Sequence, residues 1–197
     1  MEFDQVIRAR RSIRHFKPDP VSNEALSEIL EAARLAPSGS NIQPWRFVII
    51  RSPEKKKQLE AATVFRFVLK APVVIACCSD FSALDGRQDR LLELFQAGVF
   101  EGVETDGEYI PPERNQDQLQ AYLNMNVGIA ITHMMLKAAD LGLGTCWIGG
   151  FDPMKAKEIL SLDHRLQIVA LLPIGYPERL PAPRPRFAAE KLIVGTC

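Results

Sequence analysis

Two short polar clusters lie near the start of the chain: Arg10-Arg11-Ser12-Ile13-Arg14-His15-Phe16 and Pro37-Ser38-Gly39-Ser40-Asn41-Ile42-Gln43-Pro44-Trp45. The first supplies fixed cations. Arginine forks bind phosphate through paired hydrogen bonds and keep their charge at any working pH. The second supplies small hydroxyl and amide groups on a backbone that glycine leaves uncrowded. Together these are the parts needed to hold a phosphate and the polar edge of a ring. A run of charge is ordinarily a solvated face, and that reading competes here. Two features weigh against it. Ser12, Ile13 and Phe16 interleave the arginines, so part of the segment is anchored, and the Ser/Gly/Asn cluster follows one helix later.

A third stretch, Gly142-Leu143-Gly144-Thr145-Cys146-Trp147-Ile148-Gly149-Gly150, differs from a dinucleotide fingerprint. That fingerprint places two residues after its second glycine and then opens a helix. Here four residues follow Gly144, and they read as a strand. No lysine follows Gly149 and Gly150, so a nucleotide-hydrolase phosphate loop is excluded as well. The stretch reads either as a simple turn or as bare backbone that a flat ring can approach. No local hydrolase, zincin or kinase signature is present. His15, His133 and His164 are scattered, and His133 reads as a core histidine.

The elements that must position these groups follow from periodicity and capping. Residues 4–9 form a short helix that ends at the arginines. Ser22 caps a second helix whose inner stripe is Leu26, Ile29, Leu30 and Ala33, and which Pro37 terminates. Residues 45–50 and 72–78 read as strands, and Ser52-Pro53 opens a helix between them. Residues 79–118 lose the pattern, apart from a helical fragment at 87–95, and read as a lid or binding loop. Residues 119–141 form the longest helix. It is apolar nearly all round, so it needs cover on more than one side. Either a subunit interface or a central place in a monomer's core supplies that cover. Residues 145–148 read as a strand, Asp152-Pro153 starts a short helix, and 166–174 is a strong strand. The tail at 177–185 holds four prolines and runs extended over a surface.

The 197 residues suffice for one domain, and Lys plus Arg balances Asp plus Glu at 24 each, so no global charge draws the chain to nucleic acid or to a membrane. Locally, residues 8–17 carry five cations and no acid. Cys77, Cys78, Cys146 and Cys197 have no metal-ligand spacing and read as small buried hydrophobes in a reducing compartment. The start lacks a basic-then-apolar leader, and no apolar run reaches transmembrane length. The expected location is the cytoplasm.

In their order and separations, the 10–16, 37–45 and 142–151 blocks and the late Pro183-Arg184-Pro185-Arg186 resemble the FMN-dependent nitroreductases. The resemblance implies an α+β fold with a central, mostly antiparallel sheet flanked by helices. It implies one FMN-binding domain over 1–197, with a variable insert at 79–118 and a C-terminal extension at 177–197. It also implies an intertwined homodimer whose extension is exchanged, with FMN at the interface. Arg10, Arg11 and Ser12 would meet the phosphate and ribityl side, and Arg14 the pyrimidine edge. Arg184 and Arg186 would complete the phosphate clamp. Pro37, Ser38, Gly39, Ser40 and Asn41 would come from the other subunit. Ile148, Gly149 and Gly150 would lie under the ring. The position of Gly149 is often acidic in the best-known members. The activity implied is hydride transfer from NAD(P)H to an electron-poor small molecule such as a nitroaromatic or quinone, with ping-pong kinetics. Specialised members, a flavin-binding module without turnover, and a non-flavin basic binding protein are the competing readings.

Overall fold

Val73–Asp80 is an eight-residue run with every side chain buried. Successive side chains of a strand point to opposite faces, so such a run needs a layer on each side. This is what the computed structural model, which describes residues 1–102 and 113–196, contains. The strands are β1 (Trp45–Ile50), β2 (Val73–Asp80), β3 (Gly144–Thr145) and β4 (Leu166–Gly175). They form one sheet in the order β1-β2-β4-β3, with antiparallel ladders throughout. The α+β architecture with an antiparallel sheet agrees with the expectation.

Alternation along β2 divides the core. Val73, Ile75 and Cys77 join Trp45, Ala170, Leu172 and Ile174 on one face. Val74, Ala76 and Cys78 join Ile50, Ile168 and Leu171 on the other. The neighbouring cysteines therefore point to opposite faces, as read from the sequence, and both thiols are free. The first face is covered by α2 (Asn23–Arg34) and α6 (Gln116–Asp140). The second is covered through Leu59, Val68, Ala71 and Ala156, from the segment of α3 (Pro53–Gln58) and α4 (Phe67–Lys70) and from α7 (Pro153–Ile159). Each fully buried Ile or Leu in these layers contributes about 1.5–3 kcal/mol.

Caps set the helix starts. Ser22 Oγ accepts the N–H of Ala25 at 3.1 Å, as its place before α2 implies. Ser52 and Asp152 accept the N–H of Lys55 and Lys155 ahead of α3 and α7. The long helix α6 begins at Gln116 rather than at residue 119. Asn115 accepts the N–H of Gln118, and the Gln118 side chain accepts the N–H of Asn115. This reciprocal cap satisfies two orphan donors, so a polar first turn without apolar period is still helical.

Two other expectations change. The strand expected at 145–148 is only Gly144–Thr145, with Ile148 forming an isolated bridge to Leu171. Residues 79–118 contain the helical fragment expected at 87–95 and more regular structure besides. Ser79 and Asp80 complete β2, a 3₁₀ turn spans Phe81–Leu84, α5 spans Arg87–Gln96, and residues 116–118 belong to α6. Residues 103–112 of that insert lie outside the described residues. Asp80 closes β2 by pairing with Arg46 at 3.0 Å and accepting the N–H of Ser82 at 3.0 Å.

α6 buries Leu123, Val127, Ala130, Ile131, Met134 and Ala138 against the sheet and α2. Its opposite side leaves Ala121 and Met125 exposed and Gly128 and Ile129 half-buried. The described chain thus covers one side of a helix that is apolar on both. After β4 the chain is tied to the N-terminal segment by the N–H of Glu178, which donates to His15 at 3.0 Å, and by Arg179, which reaches the His15 ring. From residue 178 to 196 every residue is exposed, and the one regular element is the 3₁₀ turn Ala189–Lys191. Among the described residues no helix is long and apolar enough to cross a membrane.

Candidate cofactor site

The arginine segment is held by one apolar side chain. It follows α1 (Phe3–Ala9), and Ile13 is 1 % exposed. The N–H of Ile13 donates to Thr145 at 2.9 Å, and Ser12 bridges Thr145 in parallel. Gly144 makes this approach feasible, because a Cβ there would stand 2.3 Å from Ile13 Cγ1. With Ile13 driven inward, the flanking arginines face out. Arg11 turns back onto the carbonyls of Arg8 and Arg10, and Arg14 donates to the Ser12 carbonyl at 3.2 Å.

The C-terminal arginines meet this segment. Arg10, Arg11, Ser12 and Arg14 form one side of a cleft of about 520 Å³, and Arg184 and Arg186 form the other. Among the described residues, none of these five arginines has a carboxylate partner. Several unneutralised guanidinium groups around one concavity make an anion site by field alone. Cys146 lies beside it. Burial pushes its thiol up, while the charges of Arg14, Arg184 and Arg10 and a hydrogen bond from Ser12 pull it back. Reading the sequence placed Cys146 only as a buried thiol; no local signal tied it to arginines at both ends of the chain.

Ile148, Gly149 and Gly150 follow within a few residues on the same chain segment. Ile148 is buried and exchanges both backbone hydrogen bonds with Leu171 at 3.0 Å. Gly149 and Gly150 are exposed backbone. A Cβ on Gly149 would find its nearest neighbour, Trp147 Nε1, at 3.8 Å, whereas one on Gly150 would stand 2.8 Å from the Phe65 ring. Phe65 is held there by Thr63, whose hydroxyl donates to the Gly150 carbonyl at 3.4 Å and accepts the N–H of Phe65 at 3.2 Å. Two partly exposed aromatics, Trp147 and Phe65, therefore flank the bare dipeptide. The sequence reading missed both, because each sits inside an apolar run that resembles core.

The 37–41 loop is built elsewhere. Gly39–Asn41 is a 3₁₀ turn, and Ser40, Asn41 and Gln43 hold positive φ of 52°, 51° and 44°. Such backbone persists only when its surroundings over-determine it. Here the Gly39 N–H donates to Asn126 Oδ1 at 2.9 Å, and Ser38 Oγ accepts the N–H of Gln43 at 3.0 Å. The Tyr122 hydroxyl lies where a Cβ on Gly39 would be. Pro37 is exposed at the loop's start, and α5 packs against the turn.

One chain does not bring this loop to the arginine cleft. The loop sits beside Tyr122 and Asn126 of α6, whereas the arginine segment abuts Ala139 and the residues after α6. At 1.5 Å per residue, Asn126 and Ala139 are about 20 Å apart along the axis.

The comparisons with known proteins agree with this fold. The family model described as the nitroreductase family matches residues 7–176. A protein of Thermus thermophilus named NADH dehydrogenase is 35 % identical, covering 94 % of this chain and 91 % of its own. A candidate NAD(P)H nitroreductase of Streptococcus pyogenes is 32 % identical, covering 98 % of each chain. A candidate nitroreductase of Exiguobacterium sibiricum, solved as a crystal structure in complex with FMN, superposes with a TM-score of 0.82 at 26 % identity, covering 100 % of this chain and 98 % of that one. The chain belongs to the nitroreductase family.

Proposed function

We propose that the protein is an FMN-dependent NAD(P)H oxidoreductase that acts as a homodimer and reduces an electron-poor small molecule. The observation that carries this reading is the single cleft that gathers arginines from both ends of the chain, a few residues before the uncovered backbone of Gly149 and Gly150. The residues present fit the cofactor. An unneutralised guanidinium cleft suits a phosphate dianion, and a dipeptide without side chains suits a flat ring.

When bound, FMN supplies the hydride-accepting and hydride-donating centre at its N5; the protein supplies position and field. Arg10, Arg11, Arg184 and Arg186 neutralise the phosphate, and Ser12 adds a hydroxyl towards the ribityl chain. Arg14 sets a fixed cation at the pyrimidine edge, where it stabilises negative charge as it develops. The main-chain N–H groups at Gly149 and Gly150 would be available to donate to a polar atom of the ring. Gly149 adds no acidic side chain there, so the seat stays open to neutral, flat acceptors. Reductant and acceptor occupy one seat in turn, which makes the kinetics ping-pong, and solvent supplies the protons.

The partner copy completes the site. Pro37, Ser38, Gly39, Ser40 and Asn41 stand about 20 Å along α6 from their own chain's arginines, so a second copy is what brings them to the cleft. The uncovered apolar side of α6 and the exposed tail support the same arrangement, with the tail exchanged. The free thiols of Cys77, Cys78 and Cys146 suit a cytoplasmic location.

The test is optical. The purified protein is expected to be yellow, to bleach anaerobically with NADH or NADPH, and to recolour on adding a quinone or nitroaromatic. A colourless protein that ignores added FMN overturns the reading. Colour without bleaching makes it a flavin-binding module instead.

A further inference from the structure

We propose that the basic groove between α3 and α4 receives the phosphate-bearing adenosine end of the reducing dinucleotide, and that Lys57 and Lys70 give the protein a preference for NADPH over NADH. The proposal rests on the flavin reading above, since it starts from the ring seat at Gly150.

A continuous path leads from that seat. One depression of about 490 Å³ runs from Gly150 along Thr63 and Phe65 to Glu60 and Arg66. A second, of about 550 Å³, begins at the same Glu60 and Arg66 and is lined by Lys56, Lys57, Leu69 and Lys70. Residues 53–70 carry five cations, Lys55, Lys56, Lys57, Arg66 and Lys70, against two acids, Glu54 and Glu60.

Most of those cations are already committed. Lys55 Nζ donates to the Ile159 carbonyl at 2.8 Å, and Lys56 Nζ to that of Ala71 at 2.8 Å. Arg66 pairs with Glu60 at 3.0 Å, which holds its planar group at the junction of the two depressions. Lys57 and Lys70 are exposed and, among the described residues, make no ion pair. A lysine-rich helix face is ordinarily only solvated. This one differs because it walls a groove that opens onto the ring seat.

The chemistry selects one of the two dinucleotides. They differ in one group on the adenosine ribose, a hydroxyl in one and a phosphate in the other. A phosphomonoester carries about −1.5 to −2 charge at pH 7, and two unpaired ammonium groups gain from it what they cannot gain from a hydroxyl. Leu69 and the Arg66 plane offer surface on which a purine can lie. Free phosphate shares the anion chemistry but not the purine, so the two sources separate experimentally.

The experiment measures binding of adenosine 2′,5′-bisphosphate, 5′-AMP and inorganic phosphate to the purified protein by calorimetry, beside kinetics with both dinucleotides. The wild type is expected to bind the bisphosphate at least about tenfold tighter than 5′-AMP or phosphate, the worth of one charge-assisted hydrogen bond. In Lys57→Glu/Lys70→Glu that difference disappears, and the kcat/KM ratio of NADPH to NADH falls at least about tenfold. Lys57→Gln/Lys70→Gln gives a smaller loss in the same direction, and the Michaelis constant for NADPH rises more steeply with salt than that for NADH. Equal binding of bisphosphate and 5′-AMP by the wild type, phosphate binding as tightly as the bisphosphate, or an unchanged ratio in the variants overturns the proposal. The calorimetry needs no bound flavin, so a colourless protein refutes the flavin reading while leaving this groove decided separately.

Discussion

Oδ1 of Asn126, on the inner face of α6, accepts the backbone N–H of Gly39 at 2.9 Å, while its Nδ2 donates to the Tyr122 carbonyl at 2.7 Å. Asn126 is 1 % exposed. A buried amide in an otherwise apolar stripe is costly unless its groups are paired, and here the pairing fastens a loop of left-handed residues to the longest helix. Asn126→Ala leaves the Gly39 N–H without its acceptor and costs about 1–3 kcal/mol. Thermal unfolding is expected at a lower temperature, and flavin is expected to be lost more readily on dialysis. A variant with unchanged melting and unchanged flavin content would show that the loop holds itself.

Gly144→Ala is the most disruptive glycine substitution at the arginine segment. The new methyl would meet Ile13 Cγ1 at 2.3 Å and Cβ at 2.7 Å. A neighbour with no room to yield makes overpacking cost about 1–3 kcal/mol. Ile13 is the anchor, so flavin retention and stability fall together. Ile13→Val in the same chain recovers little of either, because valine keeps the Cβ and both γ carbons that the methyl meets. Denaturant melts and flavin absorbance on both variants test this.

Gly149 and Gly150 respond differently to the same methyl. Gly149→Ala meets Trp147 Nε1 at 3.8 Å, an ordinary contact, and melts like the wild type. Gly150→Ala meets the Phe65 ring at 2.8 Å and is destabilised. Adding Phe65→Ala relieves the clash, so the double-mutant cycle shows coupling. Additive effects would mean that Phe65 moves aside freely.

Arg186→Ala removes one guanidinium from the cleft at an exposed position. Its side chain donates to the carbonyls of Pro185 and Arg184, within its own segment. The fold and the dimer are expected to persist while flavin is lost at least about tenfold faster, the worth of one charge-assisted contact. Truncation before Pro181 is expected to go further and to weaken the proposed dimer on size exclusion. An undisturbed dimer would keep the tail on its own subunit.

Burial pushes Cys78 up from 9.0 to about 12 and Cys77 well above 9.0. Above pH 9.0 the unfolded chain releases protons that the folded chain retains, so stability falls as pH rises. Below that value these thiols contribute no slope. Denaturant midpoints are expected to be flat with respect to both thiols up to about pH 9 and to decline towards pH 12. Cys78→Ala flattens that decline. A thiol reagent at neutral pH labels neither residue until the protein is unfolded.

Most of the framework is legible along the chain because its causes are local. Strand residues 45–50 and 166–174 announce themselves by apolar, β-branched runs, and Ser22, Ser52 and Asp152 by their place before helical stripes. Where local causes conflict, the reading slips. The cap at Asn115 extends α6 through a polar turn that has no apolar period. The 145–148 strand is shortened because the continuous ladder to β4 runs only through Gly144 and Thr145, and contact with β4 resumes at the isolated bridge from Ile148 to Leu171.

The amino-acid order alone established the two polar clusters, the bare glycine pair and the family they belong to, since residue type and spacing survive without coordinates. It could not establish that Ser12 lies on Thr145, that Arg184 faces Arg14 across a cleft, or that Phe65 covers Gly150. Those pairs join distant parts of the chain, and their meeting depends on the sheet order, on Ile13 entering the space above Gly144, and on the path of the tail. Local propensity reaches a few residues either way; only packing brings position 14 to position 184, and only packing sets the 37–41 loop a helix-length from the cleft.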